Sequence, residues 1–501
     1  MTNSFLHVYN KSLFWKILTW LVFLGVIYFP IFLHLGSLPV ALWDESLFAL
    51  RALFMYDNLE YMIDFNQFEG LSDHMNTKLP FTTFFQVLGI KIFGVNELGI
   101  RLPIIFIFLG LSFWIYTFFK KQFSVSWVGG AFVLLLVISY GFVGEHMLRT
   151  GNQDVPFAMY LLLATLYFWK YIEYKKISDV LLFSFFMIAA LLTKNLLSVI
   201  VLPGILAFIL LKKHRFKEVM GSYKTYMSAI IIAGAYILTL VYFEWQYPGF
   251  FDRMWNYELL GRYTNTIEGH SGGFFFYFDI YFNQNSSYLG YFALFGLFVL
   301  FDKNADIRLK RLTTLLSLVF VSYLLFISIS ATKTEWYVAP LYPFGSLIAV
   351  LGIFHLNQVY ILKSSVPIKI FIGALILVLF SGNYTSVINS VYKEEPKNGT
   401  QIYGYHLKNN SVSLGKKFYI IDSRFGSSAY FSKEIYNRNH GYDIIYAENF
   451  EDMEMPAKVF TCRPNEMRLI ENNFKFEIIN DKAMHCKGYL IVEKLNNQKI
   501  Q

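Results

Sequence analysis

The chain has 501 residues, 55% of them hydrophobic and only 16% charged, with 53 Phe and 35 Tyr. An ordinary soluble domain carries about 25% charged residues, so a wholly water-soluble protein is excluded. The net charge of +8 could suit nucleic acid, but the basic residues fall in alternate joins between apolar runs, a pattern of membrane topology.

A spanning helix needs about 20 mostly apolar residues. Eleven candidate spans follow in chain order, at 14–34, 98–119, 123–142, 155–171, 177–193, 195–211, 226–244, 286–301, 312–331, 336–354 and 366–382. The first has no small-residue cleavage site and is expected to stay as a helix. Lys120 and Lys121 follow the second span, and Lys170, Lys175 and Lys176 follow the fourth. "LKKHRFK" follows the sixth, "DKNADIRLKR" the eighth, and Lys363 and Lys369 flank the tenth join. The positive-inside rule places these joins and the N-terminus in the cytoplasm. The first loop (35–97), the loop 245–285 and everything after 383 then face outside. Within the first loop, 79–94 is too short and interrupted to span and is expected as an interfacial or re-entrant helix.

Residues 1–384 therefore form a multi-span membrane domain and 385–501 a soluble extracytoplasmic one. After the polar linker "NSVYKEEPKNGTQ", strands are expected at "KKFYIID", "YDIIYAE", "AKVFTC" and "GYLIVEKL". Helices are expected at "SAYFSKEIYNR" and "NEMRLIENN", giving a small α/β layer. Both cysteines of the chain, Cys462 and Cys486, lie here. In an oxidising compartment a disulfide leads, with two buried free thiols as the alternative.

The outer loops are long and chemically varied, the kind that carry function. "WDES" brings Asp44 and Glu45 to the membrane edge. They either favour the start of the next helix or supply a general base that takes a proton from an acceptor hydroxyl. Lys78 ("NTKLP"), Lys194 ("LLTKNLL") and Lys333 ("SATKTEW") also sit in outer joins. Any one of them can snorkel, but three cations in apolar surroundings suit a lipid-linked phosphate. "GEHMLRTGNQDVPF" adds Arg149 and Asp154, the latter a helix cap or a second acid. The adjacent Glu145 and His146 have no metal-ligand spacing. "EGHSGG" puts His270 in a glycine-rich loop, idle or against a ligand.

With these residues in order, the sequence resembles the multi-spanning glycosyltransferases of the C superfamily. It looks most like the branch holding lipid A aminoarabinose transferases and protein O-mannosyltransferases. The resemblance rests on Asp44-Glu45 after the first helix, "TKLPFTTFFQVLGIKIFGVNELGIRLP", Asp154, Thr193-Lys194, and Lys333, Tyr337, Pro340 and Pro343. It runs over roughly residues 10 to 350.

The resemblance implies a polytopic α-helical fold in a bacterial-type cytoplasmic membrane. It also implies inverting transfer of a sugar from a polyprenyl-phosphate donor to an envelope lipid, glycan or protein. Asp44, Glu45 and Asp154 would be the catalytic acids, and Lys78, Lys194 and Lys333 would hold the leaving phosphate. Arg51, Arg149, His270 and Tyr337 would line the substrate site. Relatives often follow the acidic pair with small-Arg-Tyr, where this chain has Ser46, Leu47 and Phe48; Arg51 is the candidate substitute. Thr77 stands where many relatives have glutamate, so no cofactor is assigned and a divalent metal ion gains no support. Two other readings are an oligosaccharide ligase or polymerase on the same carrier, and a translocator of lipid-linked sugars. Polar residues clustered at one face favour a transferase over the latter.

Overall fold

Backbone groups in hydrocarbon must be satisfied internally, so the apolar runs can only become helices. A computed structural model describes residues 2–41, 43–59, 77–144, 146–267, 269–284, 289–392, 399–409, 412–421, 426–447, 449–480 and 485–495. Glu145 and much of the first loop (60–76) lie outside the described residues.

The membrane part opens with α1 (Thr2–Phe32), α2 (Asp44–Asp57), α3 (Phe81–Phe93), α4 (Glu97–Phe123), α5 (Trp127–Val137) and the single turn α6 (Tyr140–Val143). Next come α7 (Asp154–Tyr174), α8 (Ile177–Lys194), α9 (Val201–Leu210), α10 (Lys213–Met220) and α11 (Tyr223–Gln246). Short turns α12 (Phe250–Arg253), α13 (Arg262–Thr264) and α14 (Phe276–Asp279) lead to α15 (Gly296–Phe301), α16 (Ile307–Ile329), α17 (Leu341–Val359) and α18 (Val366–Tyr392).

Among the described residues seven stretches are long and apolar enough to cross a membrane: 97–123, 154–174, 177–210, 223–246, 307–329, 335–363 and 366–392. Four apolar helices are shorter, at 16–32, 81–93, 127–137 and 290–301. The chain is a multi-pass, mostly helical membrane protein. The runs expected at 177–193 and 195–211 form one apolar stretch of 34 residues, broken at Asn195 (φ 52°). Lys175, just before α8, pairs with Glu218 of α10 at 2.9 Å. The stretch therefore runs away from that end and returns to it. Each leg is about 27 Å long, from 1.5 Å per α-helical and 2.0 Å per 3₁₀ residue.

The joins sort to two ends. At one, Arg308 donates to the Gln122 carbonyl (3.1 Å) and to Tyr174, Arg311 pairs with Glu173 (3.1 Å), and His355 meets Asp302 (2.8 Å). At the other, Gln86 reaches the Gly151 carbonyl (2.7 Å) and Asn195 the Thr77 carbonyl (3.1 Å). The short α3 is fixed there by close packing on α4. A Cβ on Gly89 would lie 2.2 Å from the Gly99 carbonyl oxygen, the kind of approach that small residues permit between membrane helices.

α18 continues to Tyr392, through the domain boundary expected at 385. The apolar period of the span carries on into "SVINSVY", where composition suggested a linker. Beyond it lie α19 (Gly399–Lys408), β1 (Lys417–Ile421), α20 (Ser427–His440), β2 (Asp443–Ala447), β3 (Ala457–Thr461), α21 (Pro464–Asn473), β4 (Phe474–Asn480) and β5 (Lys487–Lys494). The sheet order is β2-β1-β3-β5-β4. β1 is parallel to β2 and β3, with α20 as a crossover, while β5 is antiparallel to β3 and β4. Period-two alternation buries Phe418 and Ile420 on one face and Tyr419 and Ile421 on the other.

Cys462 and Cys486 are joined by a disulfide across a sequence separation of 24. Loop-closure models give such a link about 3–4 kcal/mol. Cys486→Ser should therefore lower the unfolding midpoint of the sheet domain in the purified full chain. An unchanged midpoint under non-reducing conditions would contradict that assignment.

Candidate active site

The acidic pair divides at once. Successive helical residues point about 100° apart, and in the first turn of α2 this separates Asp44 from Glu45. Glu45 is fully buried. It accepts from Arg101 Nε at 2.7 Å and Nη2 at 3.1 Å, from the Ala41 amide at 2.6 Å and from the Gly151 amide at 2.8 Å. Burial alone would raise its pKa, but the Arg101 charge and these hydrogen bonds hold it below the ordinary 4.5. Arg101 spends its other donors on the carbonyls of Leu35 (2.7 Å), Leu38 (2.9 Å) and Pro39 (3.0 Å). Glu45 is thus a clasp between three segments, with both oxygens engaged by Arg101 and two backbone amides. The Gly151 contact needs glycine, since a Cβ there would lie 2.3 Å from Ile100 Cγ2.

Asp44 is half-buried. The Glu45–Gly151 contact brings this end of α2 beside the turn that leads into Asp154, the first residue of α7. Lys194 ends α8 and its Nζ meets Asp154 Oδ1 at 2.5 Å. The turn carrying Lys78 lies alongside. Asn195 donates to the Thr77 carbonyl, Thr82 and Thr193 hydroxyls meet at 3.2 Å, and Gln153 donates to Thr83 Oγ1 at 3.3 Å. One cluster therefore holds Asp44, Asp154, Lys194 and the Lys78 turn.

Arg51 supports that turn from below. It is buried and donates through Nη1 to the Lys78 carbonyl at 2.6 Å. Burial pushes its guanidinium down to about 9, still charged at neutral pH. Arg149 is also buried, and its Nη1 donates to the Pro30 and Ile31 carbonyls at 3.2 and 3.1 Å. Both carbonyls belong to the last turn of α1, which ends at Phe32, where helical carbonyls have no intrahelical donor, and the guanidinium serves them. Both arginines expected to bind substrate donate to backbone carbonyls.

Lys333 follows α16 and is only 4% exposed. Its Nζ donates to the Ile327 and Ser328 carbonyls at 3.1 and 2.6 Å and lies 5.2 Å from the Tyr277 ring centroid. No carboxylate among the described residues pairs with it, and burial lowers its pKa. The loop expected to approach a ligand packs on it instead. The Lys333 amide donates to the His270 carbonyl at 3.1 Å, and a Cβ on Gly272 would lie 3.2 Å from Lys333 Cγ. Tyr337 stacks with Tyr277 at 6.5 Å and its hydroxyl accepts from Arg262 at 3.4 Å. Tyr323, buried in α16, donates to the Tyr337 carbonyl at 3.2 Å.

Sequence reasoning passed over His146 except as a metal ligand. It stacks on Trp336 with ring centroids 4.0 Å apart and meets Asn152 Nδ2 through Nδ1 at 3.0 Å. The signal available was a histidine eight residues before Asp154, too weak alone to single out. Arg101 was visible only as part of "RLP". Among the described residues no group of three His, Cys, Asp or Glu could hold a metal ion, and Lys194 already occupies one oxygen of Asp154.

Residues 77–243 match the family model of dolichyl-phosphate-mannose-protein mannosyltransferases. Among solved structures, ArnT from Cupriavidus metallidurans bound to undecaprenyl phosphate superposes with a TM-score of 0.67 at 12% identity, covering 95% of this chain and 97% of that one. The archaeal oligosaccharyltransferase AglB from Archaeoglobus fulgidus, in complex with an inhibitory peptide and a dolichol-phosphate, gives 0.54 at 11% identity, over 84% and 64%. The chain shares its fold with these two proteins. An uncharacterised protein of Aquifex aeolicus (strain VF5) is 28% identical over 322 residues, 63% of this chain. The match spans 60% of that relative's length. The matched region holds α3, α7 and α8 and thus Lys78, Asp154 and Lys194, while Asp44 and Lys333 lie outside it.

Proposed function

We propose that the chain is a membrane glycosyltransferase that moves one sugar from a polyprenyl-phosphate donor to a hydroxyl of an envelope glycolipid, glycan or protein. The observation that carries this is the Asp154–Lys194 pair beside the Lys78 turn, with Asp44 on the adjoining end of α2. Support also comes from ArnT and AglB, whose structures hold undecaprenyl phosphate and dolichol-phosphate.

The acceptor oxygen attacks the anomeric carbon of the sugar as the bond from that carbon to the phosphate oxygen breaks. The acceptor proton passes to Asp44, and polyprenyl phosphate leaves with the electron pair. Charge accumulates on the phosphate as it departs, so cations fixed in place stabilise the transition state more than the ground state. Lys333 is suited to this, because it is desolvated and has no carboxylate partner among the described residues. Lys194 is held at the opening by Asp154 and exchanges part of that contact for the phosphate.

Lys194→Ala should weaken binding of undecaprenyl phosphate and reduce kcat by about 10²–10³-fold, the usual effect of removing one such electrostatic donor. Titration of purified protein with the lipid checks the first part. Wild-type affinity in this variant would remove Lys194 from the phosphate site.

The basic joins at the opposite end support a position for this face outside the cytoplasm. Single-cysteine labelling of a Cys462→Ser/Cys486→Ser background in intact cells should modify position 265 and spare position 175. The reverse pattern would put the chemistry on the cytoplasmic face.

A further inference from the structure

The C-terminal sheet touches the membrane part chiefly through α20, and it does so on the helix that carries Asp44. Ser46 and Ser427, both buried, share a hydrogen bond at 2.6 Å. Arg438 grips Asp57 with two nitrogens at 2.8 and 2.7 Å. Both pairs are separated by 381 residues in sequence, so α2 and α20 run parallel and in step over about 16 Å, from 1.5 Å per residue. Between the two ends Phe431 and Ile435 pack with Ala49, Leu50 and Leu53.

The turn that presents Asp44 is held from the same side. Ser428 Oγ donates to the Val40 carbonyl at 2.6 Å and Gln401 Nε2 to the Pro39 carbonyl at 2.9 Å. Within that turn Trp43 has φ 69° and ψ −118°, a conformation that a bulky residue adopts only when its surroundings impose it. Glu45 with Arg101 imposes it from the membrane side, and the two serines of α20 from the other.

We propose that the C-terminal sheet is a positioning element of the transferase: α20 holds α2 at both ends and so fixes where Asp44 meets the acceptor. This rests on the functional reading above. Ser427, Ser428 and Arg438 are positioning residues that touch no substrate. Displacing a reacting group by about 1 Å can cost on the order of 10²-fold in rate, so small slackening of α2 should appear in kcat.

The test uses the full chain in lipid nanodiscs. In Ser427→Ala/Ser428→Ala, amide exchange across 44–57 should accelerate, and kcat should fall by about 10–100-fold, with the KM for the lipid-linked sugar unchanged. Arg438→Asp, which sets a carboxylate against Asp57, should do the same more weakly, and adding Asp57→Arg should restore both readouts. Unaltered exchange in both variants would show that α20 does not hold α2. Faster exchange with wild-type kcat, or a raised KM with kcat intact, would overturn positioning in favour of capping or substrate docking. A wild-type protein that protects α2 yet transfers no sugar would contradict the functional reading and leave the helix pairing standing.

Discussion

Asp44→Asn should cut turnover by about 10²–10⁴-fold, the usual contribution of a positioned general base, while polyprenyl-phosphate binding stays at the wild-type level. The substitution keeps size and hydrogen-bonding capacity and removes the proton acceptor. A competing role exists, because Asp44 stands in the first turn of α2, where a negative charge favours the helix. Magnitudes separate the two. The dipole term is worth about 0.3–1 kcal/mol of stability, whereas the catalytic loss corresponds to about 2.7–5.4 kcal/mol in the barrier, at 1.36 kcal/mol per tenfold. A variant with wild-type kcat and a slightly lower unfolding midpoint would make Asp44 a helix-terminus residue. A midpoint near wild type with kcat reduced a hundredfold or more would make it the base.

Glu45→Gln, one residue along, should behave in the opposite way. Removing its charge leaves the Arg101 guanidinium buried without its carboxylate, and breaking a buried pair from one side costs about 3–5 kcal/mol. Loss of stability and yield should dominate, with any fall in rate following from displacement of the turn at 40–46. The pH dependence has a fixed sign. The folded pKa of Glu45 lies below its ordinary 4.5, so the stabilisation is fully present above pH 4.5 and is lost as the pH falls beneath it. The gap between wild type and variant should therefore be full at pH 7 and narrow in acid. A gap that persists unchanged at pH 3 would show that packing, not charge, is what Glu45 supplies.

The contrast between these neighbours shows what a linear sequence can and cannot reveal. Composition and spacing mark both acids as unusual at a membrane edge, and the short helix 81–93 and the alternation of basic joins are legible for the same reason. Which acid turns inward depends on the 100° step along α2 and on Arg101, which is 56 positions away. Lys333 was recognisable as a cation in an outer join, but not as one seated on the carbonyls of the preceding helix. Arg149 looked like a substrate ligand because its target, the carbonyls around Pro30, lies 118 and 119 residues earlier.

In the sheet, β4 was passed over although "FKFEIIN" alternates as a strand should, because α21 runs into it with no glycine or proline between. The parallel step of α2 and α20 was invisible, since either helix alone only shows an apolar stripe.

The central claim is tested most directly by reconstituting the full chain in proteoliposomes with a polyprenyl phosphate carrying a radiolabelled sugar, together with total envelope extract. The label and the freed polyprenyl phosphate are then followed side by side. A transferase passes label to an envelope acceptor and releases one polyprenyl phosphate for each sugar moved, and Asp44→Asn protein at equal loading does neither. Label that stays on its lipid while crossing to the other leaflet would contradict the account and make the chain a translocator.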